Sequence, residues 1–203
     1  MRADFENPSW RETAANPHDT PLSETGLRQA GDVARALGDR DITHIFSSPF
    51  LRTLETANPL AELLQLPIRR EPGFSEWLNP AWFQAAPRWL PIEEASARFP
   101  RIDPGHQALH EPSFPEETES PGVYDRVGRA LERLSERFPE GNVAIFAHGS
   151  PLGQGIARLI GTLEGIDLHM GSITTSAISE QGARLVQSGS AHLRDPDPHL
   201  RFH

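Results

Sequence analysis

Apolar positions along this chain fall into short runs separated by polar, proline-bearing stretches. ITHIFSS (Ile42 to Ser48) is a short β-branched and aromatic run and predicts a strand. LPIRR and Val143 to Ala147 predict two more. Helical spacing at Val123, Val127, Leu131 and Leu134 predicts a helix to Phe138. Ser23 has the chemistry of an N-cap for a helix that Gly38 closes. Pro49 opens another through FLRTLETANPLAELL, with Pro59 expected to kink or break it, and Gly153 to Ile160 makes one more. Ser172 to Ser179 and Ala183 to Gln187 read as a hairpin turned by EQG. Strands alternating with helices predict an α/β three-layer sandwich on a mostly parallel sheet, with residues 1–203 as one domain. The first 22 residues, with Pro8, Pro17 and Pro21, predict a loop, and the tail RDPDPHLRFH is expected to be loose.

Between residues 72 and 121 the periodicity stops. Phe74, Trp77, Trp82, Phe83, Trp89, Phe99 and Phe114 are scattered among prolines. A long aromatic insertion of this kind is either a lid over a site or a satellite cluster packed on the sheet.

Two junctions share one design. IFSSPFLRTLETA and IFAHGSPLGQGIA each run from an apolar strand through small polar residues and Ser-Pro into a helix. Both lie at the carboxyl edge of a sheet, where ligands of open α/β folds collect. Each helix start offers unpaired N–H groups to an anion. Arg52 stands in the first turn, against the local dipole, and His148 stands at the mouth of the other junction. Together they describe an anion pocket, with phosphate the natural guest. Taken singly each has a plainer reading: a structural histidine, an Arg52–Glu55 surface pair, serines as caps. A G-x-S-x-G nucleophile elbow is excluded, because Gly149 directly precedes Ser150.

Composition narrows the chemistry. Cysteine is absent, which removes disulfides, thiolate metal sites and cysteine-based phosphatase chemistry. All 19 basic residues are arginine, which excludes Schiff-base and P-loop chemistry. The net charge of −9 disfavours non-specific nucleic-acid binding. No apolar run is long enough to span a membrane, and no signal peptide is evident, so a cytoplasmic home is expected.

PLSETGLRQA (Pro21 to Ala30), SSPFLRTLETA (Ser47 to Ala57) and AHGSPLG, in this order and spacing, resemble the histidine phosphatase superfamily, also called phosphoglycerate-mutase-like. REPGFSEW (Arg70 to Trp77) and the RADFENPSW start resemble its T-cell ubiquitin ligand (TULA) type. The resemblance implies phosphomonoester hydrolysis through a phosphohistidine, without metal or organic cofactor, on a small phosphorylated substrate, with a homo-oligomer possible. It implies that His148 binds the phosphoryl oxygens and that Arg52 and Arg2 clamp them beside Ser48, Gly149 and the two helix starts. Glu76 matches the acid that serves the leaving oxygen, with Glu71 as its rival; burial beside Phe74 and Trp77 would help such an acid keep its proton.

Members of that family open with a strand ending in R-H-G-E-R, whereas this sequence opens Met1-Arg2 and contains no R-H-G triplet. The usual first strand and its nucleophilic histidine are therefore expected to be missing, through a late start assignment, a truncation, or a real loss that leaves a non-catalytic phospho-ligand binder. As written, the chain is expected not to form the phosphoenzyme. His18 matches no family position.

Elsewhere, His106 and His110 stand four apart beside Glu111, a zinc-like spacing that flanking prolines argue against. ERLSER predicts a solvated helix face. EETES (116–120) reads as an acidic loop or a selector of cationic groups, and Tyr124 and Arg126 as surface packing or substrate contacts.

Overall fold

In the computed structural model, residues 1–116 and 122–199 are described. The elements in chain order are helices α1 (Ala3–Glu6), α2 (Trp10–Thr13) and α3 (Glu24–Leu37), strand β1 (Ile42–Ser47), helix α4 (Leu51–Leu64) and strand β2 (Ile68–Arg70). A 3-10 turn at Pro72–Phe74 and helix α5 (Ile92–Arg98) follow. Then come α6 (Gly122–Arg137), β3 (Asn142–Phe146), α7 (Gly149–Ile160), β4 (Ile173–Ser179) and β5 (Gly182–Gly189).

Strands β2, β1 and β3 form a parallel sheet in that order, with Ile45 opposite Ile68 on one side and Ala144 on the other. Alternation along the strands sends side chains to opposite faces. Ile45, Ala144 and Phe146 pack with Val33 and Leu37 of α3 and Leu54, Ala57 and Leu60 of α4. Phe46, with half-buried Val143 and Ile145, packs against Val127, Leu131 and Leu134 of α6 and Leu152 and Leu159 of α7. These are the three expected layers. β4 and β5 pair antiparallel as a separate two-stranded sheet, and among the described residues no ladder joins β3 to β4.

Most elements fall where the pattern puts them, and Ser23 caps α3 by accepting from Gly26 N–H at 3.1 Å. Four expectations are corrected. The opening segment holds two short helical turns rather than continuous loop. Pro59 does not break α4, which runs on to a left-handed cap at Gln65; the packing of Leu54, Ala57, Leu60 and Ala61 on the sheet outweighs one missing donor. α7 starts four residues early, at Gly149, with His148 as its N-cap. The tail is not loose up to Asp197: Leu193 is in the main core, Arg194 binds Asp32, and Gln29 Nε2 donates to the Asp195 carbonyl.

The aromatic segment divides in two. Leu90, Ile92, Ala95, Phe99 and Ile102 join the main core, and Ile68 bridges Ile102 at the β2 edge. Leu78 and Phe83, with Trp82, Trp89 and Phe114, gather instead around Phe50.

Candidate functional site

The carboxyl ends of β1 and β3 are tied together, since Ser48 N–H donates to the Phe146 carbonyl at 2.8 Å. The two matching junctions therefore meet. Arg52, the second residue of α4, is buried, and its Nη2 reaches His148 Nδ1 at 3.1 Å and Glu76 Oε2 at 3.2 Å. An arginine can only donate, so Nδ1 accepts and the ring hydrogen belongs on Nε2. There it faces Ser48 Oγ at 2.8 Å. Glu76 Oε2 lies 3.4 Å from the same Nδ1. Four of the six residues singled out from the sequence thus touch one another.

Phe50 shapes the floor of this site. The Arg52 guanidinium lies 4.5 Å over its ring, and the His148 ring meets it edge-on at 5.1 Å. Burial pulls the Arg52 pKa down to about 10, with the Glu76 carboxylate opposing the shift. At that value the guanidinium is still charged at neutral pH. Asp19 is buried behind the same helix start, where its Oδ1 accepts from Leu51 N–H at 2.6 Å. Burial pushes its carboxyl up to about 6, against that hydrogen bond and the Arg52 charge.

Arg2 lines one cavity with Arg52 and is clamped by Asp4 at 2.9 and 2.6 Å. Gly149 contributes backbone, at the first turn of α7, and is exposed. Glu71, the rival acid, directly follows β2. It is fully buried and accepts from Gly73, Leu109 and His110 N–H and pairs with His106 at 3.0 Å, which marks it as a structural carboxylate. That contact also occupies His106 Nε2, and neither His106 nor His110 lies in a helix, so the zinc-like face does not form. Glu55 pairs with Arg98 and Leu22 N–H rather than with Arg52.

Arg126 is not surface packing. Buried, it donates to the carbonyls of Gly73, Ser75 and Glu76 at 2.8, 3.1 and 3.0 Å, and to Glu116 at 2.5 and 3.0 Å. It therefore holds the loop that presents Glu76. Of EETES only Glu116 is described, and it is a buried ion-pair partner; residues 117–120 lie outside the described residues, as does the side chain of Tyr124. Sequence reasoning missed Phe50, Asp19 and Glu116. The signal for Phe50 was its place in SSPFLR, one apolar residue amid a polar junction.

Residues 7–190 match the family model of the histidine phosphatase superfamily (branch 1). Mouse ubiquitin-associated and SH3 domain-containing protein B is 31% identical over 66% of this chain and 22% of its own length. The phosphatase PhoE of Bacillus subtilis is 30% identical over 66% of this chain and 62% of its own. The ecdysone phosphate phosphatase of Bombix mori, solved with tungstate, superposes with a TM-score of 0.57 at 25% identity, covering 78% of this chain and 61% of that one. Phosphoserine phosphatase of Entamoeba histolytica with 3-phosphoglyceric acid gives 0.61 at 19% identity, over 86% and 87%. The chain spans about a fifth of the length of the first two curated relatives it matches, at 20% and 22%. With the family model covering nearly the whole chain and both junctions converging on one buried arginine–histidine contact, the chain belongs to the histidine phosphatase superfamily.

Proposed function

We propose that this domain binds small phosphomonoesters at the Arg52–His148 site and hydrolyses them. One observation carries the reading: Arg52 is buried in the first turn of α4, where a cation opposes the helix dipole, and is held against both His148 and Glu76. A cation kept there by the fold is poised for an anion that helix N–H groups also favour. A phosphoryl group on Arg52, Arg2 and His148 competes with Glu76 for the guanidinium, which leaves that carboxyl to protonate the leaving oxygen as water attacks phosphorus in line and the ester P–O bond breaks, the proton of the attacking water returning to it from the released phosphate. Arg52 sets the His148 tautomer by donating to Nδ1, Ser48 faces Nε2, and Gly149 offers first-turn N–H to a phosphoryl oxygen. Trp82 and Phe83, packed around Phe50, act as the wall of a lid-like segment that keeps bulk water from the phosphorus.

The phosphohistidine route of the family requires an R-H-G histidine, which these 203 residues do not contain. A second reading is binding of phosphorylated ligands without turnover, for which the Arg52–His148 contact and the two helix starts suffice. One experiment distinguishes them. Phosphate and vanadate should raise the melting temperature under both readings, while release of p-nitrophenol from p-nitrophenyl phosphate occurs only under the first. Absence of any protection refutes both.

A further inference from the structure

We infer that Arg11 and His18 form a leaving-group subsite selecting small phosphomonoesters whose alcohol carries a second negative charge; this rests on the phosphate reading above. The cavity beside Arg52 measures about 240 Å³, and besides Arg52 and Arg2 it is lined by Arg11, His18, Trp82 and Phe83. That space suits a compact metabolite; pockets for drug-sized ligands start at about 300 Å³. Asp4, buried, is shared by two guanidiniums, holding Arg2 and accepting from Arg11 Nε at 2.8 Å. The contacts therefore run from the phosphate clamp at Arg2 through Asp4 to Arg11, whose side chain is 44% exposed and borders the cavity. A phosphoryl group on Arg52 and Arg2 directs its ester substituent along this wall.

His18 is equally well placed. Its ring packs on Phe83 at 5.4 Å, and Phe83 packs on Phe50 at 6.2 Å, the ring that carries Arg52. The next residue, Asp19, caps Leu51 N–H beside Arg52. The loop bearing His18 and the helix turn bearing the clamp are thus pinned to one another, so both ends of a bound ester meet preorganised groups. Arg11 thus places a third, half-exposed guanidinium on the cavity wall beyond the two that hold the phosphate, available to a second anionic group on the ester.

The test measures calorimetric affinities of inorganic phosphate, glycerol 3-phosphate and 3-phosphoglycerate, the last two differing by one carboxylate. The expected result is an affinity for 3-phosphoglycerate higher than for glycerol 3-phosphate by about tenfold, falling to about twofold in Arg11→Gln. Because Arg11→Gln also removes a partner of buried Asp4, Arg11→Lys, which keeps a cation there, and His18→Gln serve as companions; Arg11→Lys should hold an intermediate ratio. Phosphate binding without any preference between the two esters overturns the subsite and leaves the phosphate reading standing. A preference retained in full by Arg11→Gln and His18→Gln overturns the assignment to these residues. No binding of inorganic phosphate overturns both proposals.

Discussion

Arg52 Nη2 and His148 Nδ1 stand 3.1 Å apart across 96 residues of sequence, each at the first turn or cap of a helix that follows a parallel strand. The contact between two basic groups persists because the histidine accepts, with its hydrogen directed at Ser48. An oxyanion bound here would meet one permanent cation and one ring that can take up a proton as charge builds.

Arg52→Met should therefore weaken phosphate or vanadate binding by about a hundredfold, close to 2.7 kcal/mol, since a buried charge-assisted contact is lost in a water-poor site. Ligand-induced shifts in melting temperature provide the readout. Arg52→Lys should recover only part of it, because a point charge does not reproduce the guanidinium fork.

Arg126 and Glu116 predict a stability effect coupled to the site. Removing one member strands the other charge in the interior, and Arg126→Met should cost about 3–5 kcal/mol in urea unfolding. It also releases three carbonyls of the loop carrying Glu76. Arg126→Met with Glu116→Gln should regain a measurable part of the stability, while the loop carbonyls stay unmatched.

Asp19 makes stability depend on pH in a set direction. Its folded pKa of about 6 lies above the usual 3.8, so the protonated acid is favoured by folding. The associated stability is complete below about pH 4 and is lost as pH rises through about 6, by about 3 kcal/mol at most. Asn at this position keeps an acceptor for Leu51 N–H but does not titrate. The stability of Asp19→Asn minus that of the unsubstituted protein should therefore grow between pH 4 and 7. A pH-independent difference in urea midpoints would contradict the assignment.

Gly155 lets α7 approach α6. A methyl group at this buried position would collide with Val127 Cγ1, so Gly155→Ala should cost about 1–3 kcal/mol by overpacking. Val127→Ala in the same chain should recover part of that loss, as a double-mutant cycle would show.

Much of this protein was legible in the sequence. Short apolar and β-branched runs located β1, β2 and β3, capping residues located α3, and helical spacing located α6, because each of these signals is local. The repeated strand–Ser-Pro–helix junction predicted that Arg52 and His148 share a sheet edge, since parallel strands put all such junctions on one side. Within REPGFSEW, however, Glu76 matched the acid only by resemblance, with Glu71 as its rival. Folding separates them, turning Glu71 to the backbone of residues 109 and 110 and Glu76 toward Arg52.

The sequence by itself determined the layers, the phosphate-type junctions and the absence of thiol and lysine chemistry, because those follow from local periodicity and residue identity. Tertiary structure alone decided that Phe50 supports Arg52, that Arg126 fastens the Glu76 loop, that the tail packs on α3, and that β4–β5 pair apart from the parallel sheet. Each of those depends on contacts between residues distant in sequence, for which no local spacing carries a signal. Arg11 and His18 belong with them: one on a four-residue helix, the other in a proline-flanked loop, they became neighbours of the clamp only through Asp4 and Phe83.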